Sequence, residues 1–270
     1  MIPNTWILDP VPLGAAVLAI AMYGRAFLEL RRRGRPDHAQ VLNAVLFLAG
    51  VTAGTLALVS PIDALAEDTL LSAHMLQHLL IGDVAPMLLL LGMRGPIALF
   101  FLPATLLRPL ARLAALRCVL AFLLRPSVSF AVWAGSLAAW HAPQAYDAAL
   151  AHPAVHRLEH ASLFLGGLLL WAQIIDPTRR RRLTVGRRAA IAALALVAGM
   201  VLSEVLLAAG PLYAHYANVL DRPFGLTQAA DQTRAGLLMM AEQIATLGPA
   251  AALLLWSHVE RVGRELHSVA

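Results

Sequence analysis

The 270-residue chain has no lysine; all 21 of its basic residues are arginines. That absence reads as genomic base bias rather than as chemistry. Cysteine is nearly missing as well. Cys118 is the single one, which excludes an internal disulfide and any Cys-x-x-Cys metal site. A metal bound here must be held by His, Met, Asp, Glu or Tyr. Charge is scarce, at 14% of residues against about a quarter in soluble domains. The net charge of +5 would suggest nucleic acid in a soluble protein. Arginines gathered on one side of a membrane explain it better, and no nucleic-acid partner is expected. The N-terminus lacks a basic n-region, and its apolar run continues to about Leu30, so no cleavable signal peptide is expected. No internal repeat or low-complexity linker divides the chain, which reads as one domain over residues 1–270.

What is abundant is apolar surface: 59% of residues are hydrophobic, and the mean hydropathy is +0.70. A span of bilayer hydrocarbon needs about 20 apolar residues. Seven windows qualify, near 11–30, 41–60, 72–92, 118–140, 153–175, 188–209 and 232–258. The fold class is therefore all-α, a polytopic bundle of seven transmembrane helices. The stretch 96–117 is apolar too, but Pro103, Pro109 and its arginines make it an interfacial loop or amphipathic helix. Arginine placement sets the orientation. Counted by loop, 18 arginines fall on one side and only Arg157, Arg222 and Arg234 on the other. Positive loops stay cytoplasmic, so the N-terminus is expected outside and the C-terminus inside.

Histidines show the reverse skew. His38, His258 and His267 fall on the cytoplasmic side, whereas His74, His78, His141, His152, His156, His160 and His215 fall at outer helix ends or in outer loops. In AHMLQHLLIGD (73–83), His74 and His78 are four residues apart and share a helical face. His152, His156 and His160 repeat that step, with His152 suited to cap a helix that opens at Pro153. A single intramembrane histidine most often bonds a backbone carbonyl or packs between helices. Two such steps at the same end of one bundle point instead to a metal site, because ionisable groups in lipid are costly unless they serve a function. Glu159 or Asp231 is placed to orient a ligand imidazole from behind. Met75 and Met239 are thioethers nearby, and thioethers select Cu(I) while imidazole suits copper and zinc. Trp133, Trp140, Tyr146, Tyr213 and Tyr216 read as an interfacial aromatic belt. Asp83 falls near mid-membrane, and Glu204, near the outer end of the sixth helix, reads as a ligand or a partner for a histidine.

The segment AHMLQHLLIGDVAPMLLLLG resembles the third-helix signature of the CtaG family of cytochrome c oxidase assembly factors (the Bacillus-type, multi-span family). WHAPQAYDAALAHPAVHRLEHASLFLGGLLLW (140–171), PLYAHY (211–216) and DQTRAGLLMM (231–240) resemble later signatures of that family, in order, over roughly residues 40–260. Met240 stands where the family tends to have tryptophan. The resemblance implies a non-enzymatic role in maturing a haem–copper oxidase, with copper as the cofactor, supplied to an oxidase subunit. It implies a bacterial plasma (inner) membrane location, with the lipid bilayer, the oxidase subunit and a periplasmic copper donor as partners. Whether the chain forms a homodimer is left open. The candidate metal residues are His74, His78, His141, His156 and His160, with Met75, Met239 and Asp231. Three rival readings remain at this point: a membrane-embedded zinc hydrolase, a b-type cytochrome and an ion transporter.

Overall fold

A computed structural model describes residues 6–178 and 183–267. The arginine run 179–182, part of the orientation argument, lies outside the described residues. Thirteen α-helices and no strand occur among the described residues. Helix α1 (Pro10–Arg32) starts where Asp9 accepts a hydrogen bond from the Val11 N–H at 2.8 Å. Helix α2 (Val41–Val59) runs back alongside it and leads into the short α3 (Pro61–Asp68), capped by the Ser60 hydroxyl. Both starts use an oxygen-bearing cap followed by proline, a pairing that suits a helix N-terminus.

The next span is one helix in three parts: α4 (Leu71–Leu79), a π-helical turn (Leu80–Val84) and α5 (Ala85–Gly92). Pro86 offers no N–H to the carbonyl four residues before it. The wider turn accommodates the proline within an unbroken span, since Ala85 N–H bonds back to Leu80. Three short helices follow: α6 (Pro96–Phe100), α7 (Ala104–Arg112) and α8 (Ala114–Leu123). Then come α9 (Pro126–Trp140), α10 (Pro143–Ala151), α11 (Pro153–Ile175), α12 (Val185–Ala208) and α13 (Gln228–His267).

Among the described residues, six helices are long and apolar enough to cross a membrane, and a seventh span exists if α8 and α9 count as one. The expected fourth span, 118–140, is therefore not a straight helix. It bends by 73° between Leu123 and Pro126, because Pro126 begins a new helix and holds Arg125 extended. Residues 96–117 form short helices, as expected, and α7 is strongly amphipathic.

Two helices form the centre of the bundle. Half of the apolar window in Leu71–Gly92 and 56% of that in α11 are buried, against 11% in α1. Glycines set how closely the helices approach. A Cβ on Gly50 would lie 2.8 Å from the Leu89 nitrogen, and one on Gly92 would lie 2.6 Å from that of Phe47. Small residues of this kind let membrane helices pack backbone to backbone. A Cβ on Gly167 of α11 would collide with the carbonyl oxygen of Gly82 in the π-turn. The two ends of the bundle differ. At one end Arg188 donates to the carbonyls of Ile174 and Ile175, capping α11, and Arg25 donates to the Phe101 carbonyl. The histidines gather at the other.

Candidate metal centre

The i, i+4 steps do what helical geometry requires. On α4, His74 and His78 present their rings to the same side, with centroids 4.3 Å apart. On α11, whose N-cap is His152 as expected, His156 and His160 do the same at 4.2 Å. Glu159 shares that face of α11, and His141 arrives as the C-cap of α9. The two central helices thus bring four imidazoles and a carboxylate together, and α9 adds a fifth ring 6.0 Å from His78.

Glu159 is the hub. It is fully buried, with Oε1 3.4 Å from His78 Nε2 and Oε2 3.8 Å from His74 Nε2 and 4.0 Å from His156 Nε2. Potential ligand atoms of His74, His78, Glu159 and His160 all lie within 4.8 Å of one another. Both Glu159 oxygens are buried without a hydrogen-bond partner in the protein. The same holds for Nε2 of His74, His141, His156 and His160 and for both ring nitrogens of His78. Leaving one buried polar atom unsatisfied costs about 1–3 kcal/mol, so six nitrogens and two oxygens aimed at one region form a costly arrangement.

The rings are oriented from behind. His141 Nδ1 donates to the Leu137 carbonyl at 2.7 Å, and His156 Nδ1 donates to Glu67 Oε1 at 2.8 Å. Tyr216 donates to the Ala66 carbonyl at 2.5 Å, so its oxygen accepts from His74 Nδ1 at 3.3 Å. In each case the proton sits on Nδ1 and the lone pair on Nε2 faces the cluster. A metal-binding histidine has this form, with its other nitrogen held by a carbonyl or carboxylate. Tyr146 bonds to Tyr216 at 3.2 Å, and Tyr213 donates to the His141 carbonyl at 3.1 Å. Burial pushes the hydroxyls of Tyr146, Tyr213 and Tyr216 above their ordinary pKa, which keeps them protonated as donors.

This corrects the belt reading of the aromatics. Trp133, Tyr146, Tyr213 and Tyr216 are core residues. The three tyrosine hydroxyls are satisfied inside the bundle, as buried tyrosines require, rather than by water at the lipid boundary. Glu204 is also corrected: it lies on an exposed face of α12. Asp231 is buried and outside the convergent group. Its carboxylate accepts from Leu71 N, Ser72 N and Ser72 Oγ, so it caps and anchors the start of α4. Met75 and Met239 line a cavity of about 30 Å³ beside His78 and His141, together with Asp83, Trp133 and Gln243. His152 and His215 are exposed, with His215 Nε2 at 2.8 Å from the Glu67 carbonyl.

The donor set fits a cation. A tetrahedral site with bonds of about 2.0–2.2 Å spaces its ligands about 3.5 Å apart, and the His78–Glu159 separation of 3.4 Å already matches that. Neutral imidazole and one carboxylate are borderline ligands suited to copper or zinc. Sequence reasoning missed Glu67, which has no motif around it, and placed Glu159 behind the imidazoles rather than among them. The Glu159 signal was present in HRLEH, where positions i, i+3 and i+4 share one helical face.

Neither the curated proteins nor the solved structures contain a match to this chain. A family described as cytochrome c oxidase caa3 assembly factor matches residues 21–261. The signature stretches and the histidine end fall inside that match, and the chain belongs to the cytochrome c oxidase caa3 assembly factor family.

Proposed function

We propose that this chain serves oxidase assembly by carrying copper at the convergent site, as cargo destined for an oxidase subunit. His74, His78, His160 and Glu159 hold the ion, and His141 and His156 stand beside them as further donors. The observation that carries this reading is the set of buried, unpartnered imidazole nitrogens around the Glu159 carboxylate. A cation offers all of them a partner at once. Met75 and Met239 in the adjoining cavity favour copper over zinc, since thioethers stabilise Cu(I).

The arginine asymmetry orients the chain with its N-terminus outside and its C-terminus inside the plasma membrane of a bacterium. In that orientation the histidine end faces the periplasm or cell exterior, where a soluble copper donor can reach it past the half-exposed Glu67 and the exposed His152 and His215. The role is that of a carrier. Elemental analysis of purified wild type, His74→Ala/His78→Ala and Glu159→Gln, each checked for helicity by circular dichroism, tests this. Wild type should hold about one copper per chain and both variants should lose it. Unchanged copper in a folded double variant overturns the site.

A further inference from the structure

A second polar group lies deeper in the bundle. Asp83 sits in the π-turn, near the middle of the 22-residue helix Leu71–Gly92, and is buried. Its carboxyl group lies beside that of Glu242 on α13. Two carboxylates side by side away from water repel each other, so such a pair favours keeping one proton. Donors identify which oxygens accept. Trp171 Nε1 donates to Asp83 Oδ1 at 2.9 Å and Gln243 Nε2 donates to Glu242 Oε2 at 2.9 Å, while Thr246 Oγ1 shares its one hydrogen between the Glu242 carbonyl and Oε1, each at 3.0 Å. Two of the four oxygens thus face N–H hydrogens, and a third shares the Thr246 hydroxyl, which argues against a metal ion there. Asp83 Oδ2 takes none of these three donors.

Asp83 and Gln243 also line the cavity that reaches up to His78 and His141. Those two histidines are more than nine-tenths buried and bring unpartnered ring nitrogens to it. The cavity has room for about one or two waters. We propose that Asp83 and Glu242 hold one proton between them, making a proton-binding site in the membrane interior that the cavity joins to the histidine cluster. The other titratable groups lining the cavity with Asp83 are His78 of α4 and His141 of α9; Trp171, Gln243 and Thr246 are neutral.

The consequence deepens the metal-carrier reading and rests on it. A cation bound among the histidines raises the local positive potential and favours loss of the proton from the pair. One cation enters and one proton leaves through the cavity to outside water, so the buried charge changes less than it would for the cation alone. Coupling of this kind is reciprocal: protonating the pair weakens the cation site.

Infrared difference spectroscopy on the full-length protein in lipid reads this directly. Wild type without added metal should show a protonated-carboxyl C=O band at neutral pH that shifts in heavy water. Asp83→Asn/Glu242→Gln should lose it, and Trp171→Phe, which removes one donor and keeps both carboxyls, should shift it. Adding Cu(II) or Zn(II) should diminish the wild-type band but leave that of His74→Ala/His78→Ala unchanged. No carboxyl band in metal-free wild type, or a band that survives in the double carboxyl variant, overturns the proton site whether or not metal binds. A band present as expected but indifferent to a metal that elemental analysis shows to be bound overturns the coupling alone. A protein that shows the band and binds no metal retains the proton site and overturns the carrier reading.

Discussion

Glu67 accepts a hydrogen bond from His156 Nδ1 at 2.8 Å, and on the far side of that imidazole Nε2 stands 4.0 Å from Glu159. One ring therefore links a half-exposed carboxylate on α3 to the buried carboxylate at the centre of the cluster. Replacing Glu67 by Gln should free the His156 ring to turn. Loss of such an outer partner typically weakens metal binding about 10–100-fold. Competition with a copper chelator measures the effect, and an unchanged affinity would remove Glu67 from the site.

The same contact predicts an acid limit. The His156 hydrogen bond holds the Glu67 carboxyl below its ordinary value. A depressed acid contributes stability that is complete above its unfolded pKa and is lost as pH falls through the folded one. Thermal unfolding of wild type should therefore fall more steeply than that of Glu67→Gln once the pH drops below the ordinary carboxylate range. Parallel curves would count against it. Glu67 is half exposed, so the difference should be modest.

Asp63 behaves in the opposite sense. Burial pushes its pKa up to about 6, against the pull of the Gln77 amide that donates to it at 2.5 Å. A raised acid adds stability that is present below its unfolded pKa and disappears as pH rises through the folded value. Asp63→Asn keeps an oxygen for Gln77 and removes the charge. Between about pH 4 and pH 6 the wild-type melting temperature should decline relative to that of the variant; a constant difference across that window contradicts the assignment.

Glu159→Gln should separate stability from loading. Copper retention should fall at least about tenfold, the scale of losing one ligand or its support. The metal-free protein should melt no lower than wild type, because a buried carboxylate with no hydrogen-bond donor is a liability. A variant that both melts lower and keeps its copper would show that Glu159 is a structural group.

Gly167→Ala tests the central crossing. The added methyl would strike the Gly82 carbonyl, and overpacking of this kind costs about 1–3 kcal/mol. Gly135→Ala is the control, since nothing lies within 4 Å of a Cβ there. The first should lower the melting temperature and the second should not.

Much of this architecture was legible in the sequence because the bilayer imposes it. Helix α11 was expected at 153–175 and is found at Pro153–Ile175. His74, His78, His156 and His160 were expected to meet, and they do, because four-residue spacing and the cost of facing lipid leave them few other arrangements. The break before Pro126 was less visible, since hydropathy does not register a bend. Asp231 caps the start of α4, a contact that sequence does not separate from a ligand role, since a carboxylate at a helix mouth suits both. The tyrosines were placed at the interface from a statistical preference, whereas their hydroxyls serve buried partners. Glu67 and Glu242 act across helices, and no local periodicity reveals such contacts.

The π-turn at Leu80–Val84 has a bearing on how this chain can change over time. An inserted residue rotates everything after it by about 100° around the helix axis. His74 and His78 precede that rotation, while Asp83 and Pro86 lie within or after it. Removing a single leucine or isoleucine there would leave span length, apolar content and every named motif residue in place, yet swing the lower half of the helix away from the upper. Mutational drift in this stretch is thus constrained in residue number more tightly than in residue identity.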